Sequence, residues 1–208
     1  MRRVLLIFLS LVLALVGWSA VGADDGFYVI PAMRGNYAPV PKTGQTTPSG
    51  TGTDGALKKG VAWPTPRFTD NQNGTVTDNL TKLIWTKNAN MFGGLKWQDG
   101  STYPTYPACE ACATLNSEEQ GLTDGSKAGD WRLPNVRELQ SLIDYGKAAS
   151  ALPWPNPFTG DQSGLYYWSS TTSAYDTNYA WCVYFGLGFV DHSVKSSNGW
   201  VWCVRGGP

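Results

Sequence analysis

The sequence predicts an α+β domain. Strand-like runs rich in aromatic and β-branched residues lie on either side of two short segments of helical period. The composition agrees: 10 Trp, 10 Tyr and 24 Gly with only 15% charged residues suit turn-rich sheet better than helical bundles. Strands, then two helices, then several strands is the chain order of an α+β arrangement.

The N-terminus reads as a secretory signal. Arg2 and Arg3 supply positive charge, a run from Val4 to Val16 broken only by Ser10 supplies the apolar stretch, and Val21-Gly22-Ala23 supplies a small-residue cleavage site. Cleavage after Ala23 is expected to start the mature chain at Asp24 and to send it to the periplasm, the exterior or the cell surface. The apolar run is too short to span a bilayer comfortably, so no membrane span is expected after cleavage. Loss of Arg2 and Arg3 from 16 basic against 16 acidic residues leaves a slightly acidic chain. Without a surplus or run of Lys and Arg, nucleic acid is excluded as a partner.

Residues 24–66 are rich in Pro, Gly and Thr without strand or helical period, and predict an extended arm or linker. At its start, Phe27-Tyr28-Val29-Ile30 is able to pair as a strand with a sheet edge or a second copy, a route to a homo-oligomer. The compact domain is expected to occupy 67–208. Asn73-Gly74 between Phe68-Thr69 and Thr75-Val76-Thr77 predicts a β hairpin, followed by a strand at Leu83-Ile84-Trp85. Around that turn Asp70, Asn73 and Asp78 are the oxygen ligands of a candidate calcium site. The glycine falls one residue early for an EF-hand loop and no Glu closes it, so a plain turn is the expected reading.

The first helix is predicted from Pro107 to Asn116, with Cys109, Cys112 and Leu115 on one side. Asn135 opens the second: it caps the helix, Glu138 returns the bond, and Val136, Leu139, Leu142 and Ile143 form the apolar stripe. Tyr166 to Ser170, Tyr179 to Phe185, Phe189 to Val194 and Trp200 to Arg205 are predicted strands. Alternation puts Trp168, Trp181 and Trp202 in the core, with Trp131 beside the helix entry. Trp131, Arg132 and Glu138 are expected to be architectural.

An exported chain with four cysteines predicts oxidised Cys109, Cys112, Cys182 and Cys203, in any of three connectivities. No cofactor is expected. His192 is the only histidine, sits in a turn-like stretch beside Asp191 and has no arranged nucleophile, so the chain is not expected to be an enzyme. What remains is recognition. Sugars stack apolar faces on exposed aromatic rings while polar side chains bond their hydroxyls. Tyr175, Asp176, Asn178, Tyr179, His192, Lys195, Asn198 and Trp200, on the late inter-strand loops, are the candidate ligand residues for a glycan or a protein surface. The competing reading is a structural subunit of a surface or filamentous assembly.

Taken together and in order, Phe68 through Asp78, Leu83-Ile84-Trp85, Gly129-Asp130-Trp131-Arg132-Leu133-Pro134-Asn135 with Glu138-Leu139, Tyr167-Trp168-Ser169-Ser170-Thr171 and Val204-Arg205 resemble the Lcl C-terminal domain family. The likeness covers nearly all of 67–207. It implies a fold similar to C-type lectins and formylglycine-generating enzymes, with two helices packed on a twisted antiparallel sheet and long loops presenting the ligand. It also implies a bond between Cys112 and Cys203, and extracellular binding. The family's namesake, an adhesin, binds sulfated glycosaminoglycans. That ligand needs clustered cations, whereas from Tyr166 onward the basic residues are Lys195 and Arg205.

Overall fold

The computed structural model describes residues 40–98, 107–118, 120–160, 164 and 166–206. The predicted signal and the Phe27–Ile30 segment lie outside these. The described chain is mixed α and β, mostly sheet with few short helices. No helix in it is long and apolar enough to cross a membrane.

Two sheets form. The first orders β1 (Phe68–Asp70), β2 (Thr75–Asp78), β3 (Ile84–Thr86) and β9 (Val204–Arg205), all antiparallel. Its leading hairpin is the one the Asn73-Gly74 pair predicts. Gly74 has φ +83°, and a Cβ there would stand 2.4 Å from Gly121 O, so both conformation and space demand glycine. The second sheet orders β4 (Gly94–Lys96), β8 (Asn198–Trp200), β5 (Tyr166–Thr172), β6 (Tyr179–Tyr184) and β7 (Phe189–Val194). The pairing of β5 with β8 is parallel, through Tyr167 and Trp200, so this sheet is mixed where an antiparallel one is expected.

The predicted strand from Trp200 to Arg205 is in fact two. β8 belongs to one sheet and β9 to the other, and residues 201–203 cross between them with Val201, Trp202 and Cys203 all buried. Alternation along this stretch feeds two cores: Trp202 and Val204 join Trp85, Leu139, Tyr167 and Phe185, while Val201 and Cys203 join Trp97, Leu115, Trp131 and Trp168. β5 divides likewise, sending Tyr167 to the first cluster and Trp168 to the second.

Of the helices, the first is short. It covers Ala108–Ala111 (α2, after α1 at Asp54–Leu57) and tightens into a 3-10 turn over Cys112–Thr114. Leu115 beyond it is extended, which ends the element before the expected Asn116. α3 spans Val136–Gln140 and carries the predicted capping box: Asn135 Oδ1 accepts from the Arg137 and Glu138 N–H groups at 2.9 and 3.0 Å, and Glu138 Oε2 accepts from Asn135 N–H at 2.8 Å. Arg132 donates to both Glu138 oxygens at 2.7 Å. Burial pushes the Glu138 carboxyl up, but the bonds from Arg132 and Asn135 outweigh it and hold it below its ordinary value. Trp131 is 1% exposed, and its indole N–H donates to Ser126 Oγ at 3.0 Å.

Cys112 and Cys203 are joined, tying the first helix to the segment before β9. The expectation that all four cysteines are oxidised is not met at Cys182, which is a buried thiol donating to Asp191 O at 3.4 Å. The calcium candidate also dissolves. Asp78 is buried with its carboxylate taken by Arg67, Nε to Oδ1 at 2.7 Å and Nη2 to Oδ2 at 3.0 Å. Asp70 pairs with Lys87 at 2.7 Å, and Asn73 Oδ1 accepts from Thr75 Oγ1 at 2.7 Å. Three side chains turned to three different partners make a plain turn.

Composition predicts an extended arm up to residue 66, yet its described part, 40–66, is a closed loop. Val61 N–H donates to Val40 O at 2.8 Å and Lys42 N–H to Val61 O at 3.0 Å, with α1 inside the loop. Tyr145 N–H donates to Thr43 O at 2.9 Å, which fastens the loop beside the end of α3.

Candidate functional site

The β6–β7 hairpin builds a polar cavity. Its strands pair over six residues without a slip, from Tyr179 opposite Val194 to Tyr184 opposite Phe189. At the open end the chain before β6 is folded by its own side chains: Asp176 Oδ1 accepts from Asn178 N–H at 2.9 Å, and Asp176 O accepts from Tyr179 N–H at 3.0 Å. Lys195 N–H then donates to Asn178 O at 2.8 Å, so the segment leading into β6 and the one leaving β7 are held side by side.

Between them lies a cavity of about 560 Å³ lined by Gln98, Asp176, Asn178, Tyr179, Lys195 and Ser196, with Thr177 and Val194. That is within the range of small-ligand sites. Lys195 is not a loose cation. Its Nζ lies 4.0 Å from the centre of the Trp97 ring and donates to Thr172 Oγ1 at 3.0 Å, and Trp97 is itself fixed by donation from Nε1 to Ser169 O at 2.7 Å. The lining holds one carboxylate and one ammonium group, balanced in charge, and a series of hydroxyl and amide groups.

Four of the eight residues predicted from the sequence, Asp176, Asn178, Tyr179 and Lys195, therefore meet around one cavity. His192 is exposed and stands edge-on to Tyr179 and Trp181, with ring centres 5.2 and 5.6 Å away, so it buttresses the Tyr179 ring from outside the lining. Tyr175 is 95% exposed and outside the cavity. Asn198 and Trp200 lie on β8, opposite Lys96 and Gly94. Trp200 is half-buried, packed against the first core with its indole nitrogen inaccessible, which corrects its expected place on an exposed loop. Trp181 departs the other way. It is partly exposed where alternation puts it in the core, beside the edge strand β7, whose His192 stands opposite it in register and edge-on to its ring.

Gln98, Thr177, Val194 and Ser196 went unread in the sequence. Three of them have a signal, since each stands next in sequence to a predicted residue. Gln98 has none, because β4 itself is short and glycine-led.

The sequence profile of the Lcl C-terminal domain matches residues 74–205, which is well over half the chain and takes in every residue of this cavity. The chain belongs to the Lcl C-terminal domain family. No curated protein matches it closely. Within this Lcl C-terminal domain the Trp131-Arg132-Leu133-Pro134 segment stands apart from the cavity. Arg132 exchanges N–H···O bonds of 3.0 Å with Val204 in both directions, and Ser170 N–H donates to Pro134 O at 2.8 Å, so the segment joins α3 to both sheets.

Proposed function

We propose that this Lcl C-terminal domain is an exported, non-enzymatic binding module of C-type-lectin-like architecture, which takes a neutral glycan in the cavity between residues 176–179 and 194–196. The observation that carries the reading is the lining: hydroxyls and amides beside one tyrosine ring, with charges that cancel. A ligand covered in hydroxyls meets donors and acceptors there, and the Tyr179 ring offers an apolar face for stacking. A polyanion would meet Asp176 and a single lysine already engaged with Trp97 and Thr172. The Cys112–Cys203 bond supports the lectin-like architecture, since domains of that kind often tie the first helix to the last strand.

Two features support a role without catalysis. His192, the one histidine, leans on aromatic rings. The Cys182 thiol is pushed up to about 12 by burial and by the Asp191 charge, and so carries no thiolate at neutral pH.

The test is a glycan array with the purified mature chain, followed by calorimetry on the best neutral oligosaccharide. Tyr179→Ala and Asn178→Ala are each expected to weaken binding at least tenfold. Both residues are partly or fully exposed, so their effect on melting temperature should be small. Capture of sulfated glycans alone, or unchanged affinity in both variants, overturns the proposal.

A further inference from the structure

A second concavity, which shares no lining residue with the first, lies between the 40–66 loop, which precedes the family match, and the α3 region. It has a volume of about 360 Å³, and its walls include Pro41, Lys42, Trp63, Arg137, Ile143 and Tyr145. That size is at the lower end of small-molecule sites.

Its chemistry differs from the first cavity. One cation comes from each wall, Lys42 from the loop and Arg137 from the helix, and no carboxylate is among the lining residues. Neither cation forms an ion pair or a side-chain hydrogen bond among the described residues, whereas Arg132 close by is fully engaged with Glu138. Two acids border the lining without joining it, and both are occupied. Asp54 accepts from Thr43 Oγ1, and buried Asp144 accepts from Gly146 N–H at 2.8 Å. Tyr145 OH accepts from Gln140 Nε2 at 3.0 Å, which leaves its own proton to donate. Pro41, Trp63 and Ile143 supply apolar wall.

The walls are also fixed in place. Arg67, 7% exposed, lies 5.0 Å from the centre of the Trp63 ring and donates from Nη2 to Ser141 O at 2.9 Å, so one buried guanidinium holds a residue of each wall. The Tyr145 to Thr43 bond adds a second fastening. A site that is already formed loses little ordering free energy when it is filled.

We infer that this cavity is a second binding site, for a small organic carboxylate carried on an apolar ring or short chain. The carboxylate sits between Lys42 and Arg137, where the guanidinium fork matches its two oxygens, and the apolar body rests against Trp63 and Ile143.

The experiment uses the full mature chain, with benzoate as probe and benzamide as its neutral counterpart, followed by amide chemical shifts. Benzoate should give saturable shifts confined to 41–63 and 137–146, with benzamide at least tenfold weaker and added salt weakening benzoate further. Arg137→Gln should reduce benzoate affinity at least tenfold and Arg137→Lys should restore part of it. Tyr179→Ala, in the first cavity, should leave it unchanged, so failure of one site does not count against the other. Should Arg137→Gln unfold the chain, Lys42→Gln decides by the same tenfold criterion. Equal affinity for benzamide, unchanged affinity in the glutamine variants, or no saturable shift at all overturns the inference.

Discussion

At the scale of single residues, Cys182 makes the sharpest prediction. Its thiol is 3% exposed on β6, and its pKa is pushed up to about 12 by burial first and by the Asp191 charge second. In the native chain it should therefore resist a disulfide reagent at neutral pH and react on unfolding, so that a labelling time course reports unfolding. The linkage has a definite sign. A raised folded pKa favours the protonated form, so the contribution is complete below the ordinary value of 9.0 and is lost as pH rises toward about 12. Denaturant melts across that window should fall more steeply for the native chain than for Cys182→Ala. Trp131, 1% exposed and bonded to Ser126, should cost about 3 to 5 kcal/mol on change to Ala, read from the same melts. Trp200→Ala should cost roughly 2 kcal/mol or more, unlike the exposed Tyr175→Ala, because its ring packs on the first core.

Among the elements, α3 was the most legible. An Asn three residues ahead of a Glu at the start of an apolar stripe has one economical reading, and the reciprocal bonds follow it. Glu138 serves both Asn135 and Arg132 and is held below the ordinary 4.5, so its contribution is present above that value and is lost as pH falls through the depressed one. Glu138→Gln should lower the melting temperature at pH 7 and flatten the acid limb of the stability curve. The leading hairpin was equally readable, since its turn chemistry is local. Other elements were not. β4, of three residues, is set by its pairing with the distant β8, α1 has only four residues, and a Pro/Gly/Thr-rich stretch gives no sign that it closes on itself. The segment 200–205 misled for a physical reason: alternation tells which side chains share a face, and is silent on which sheet the backbone joins.

For the molecule as a whole, the Cys112–Cys203 bond spans 91 residues and closes most of the family-matched region. In the chain-entropy account a loop of that length is worth roughly 4 to 5 kcal/mol. Reduction, or the double change Cys112→Ala with Cys203→Ala, should lower the melting temperature by on the order of 10 °C or more, measured calorimetrically. The candidate site was half readable at this scale too. Asp176, Asn178, Tyr179 and Lys195 were found because loop polarity marks them, while Trp97, which fixes Lys195, lies in a part of the chain that only the tertiary fold brings near. A last consequence concerns timing. β8 is the strand between β4 and β5, β9 is the partner of β3, and both come after every other strand described. A ribosome emitting this chain from its N-terminus releases β1 through β7 before either sheet has its closing member, so a nascent chain has hairpins to form but no finished sheet. A chain of this design completes neither sheet until β8 and β9 have been released, and until then it depends on whatever shields unfolded polypeptide.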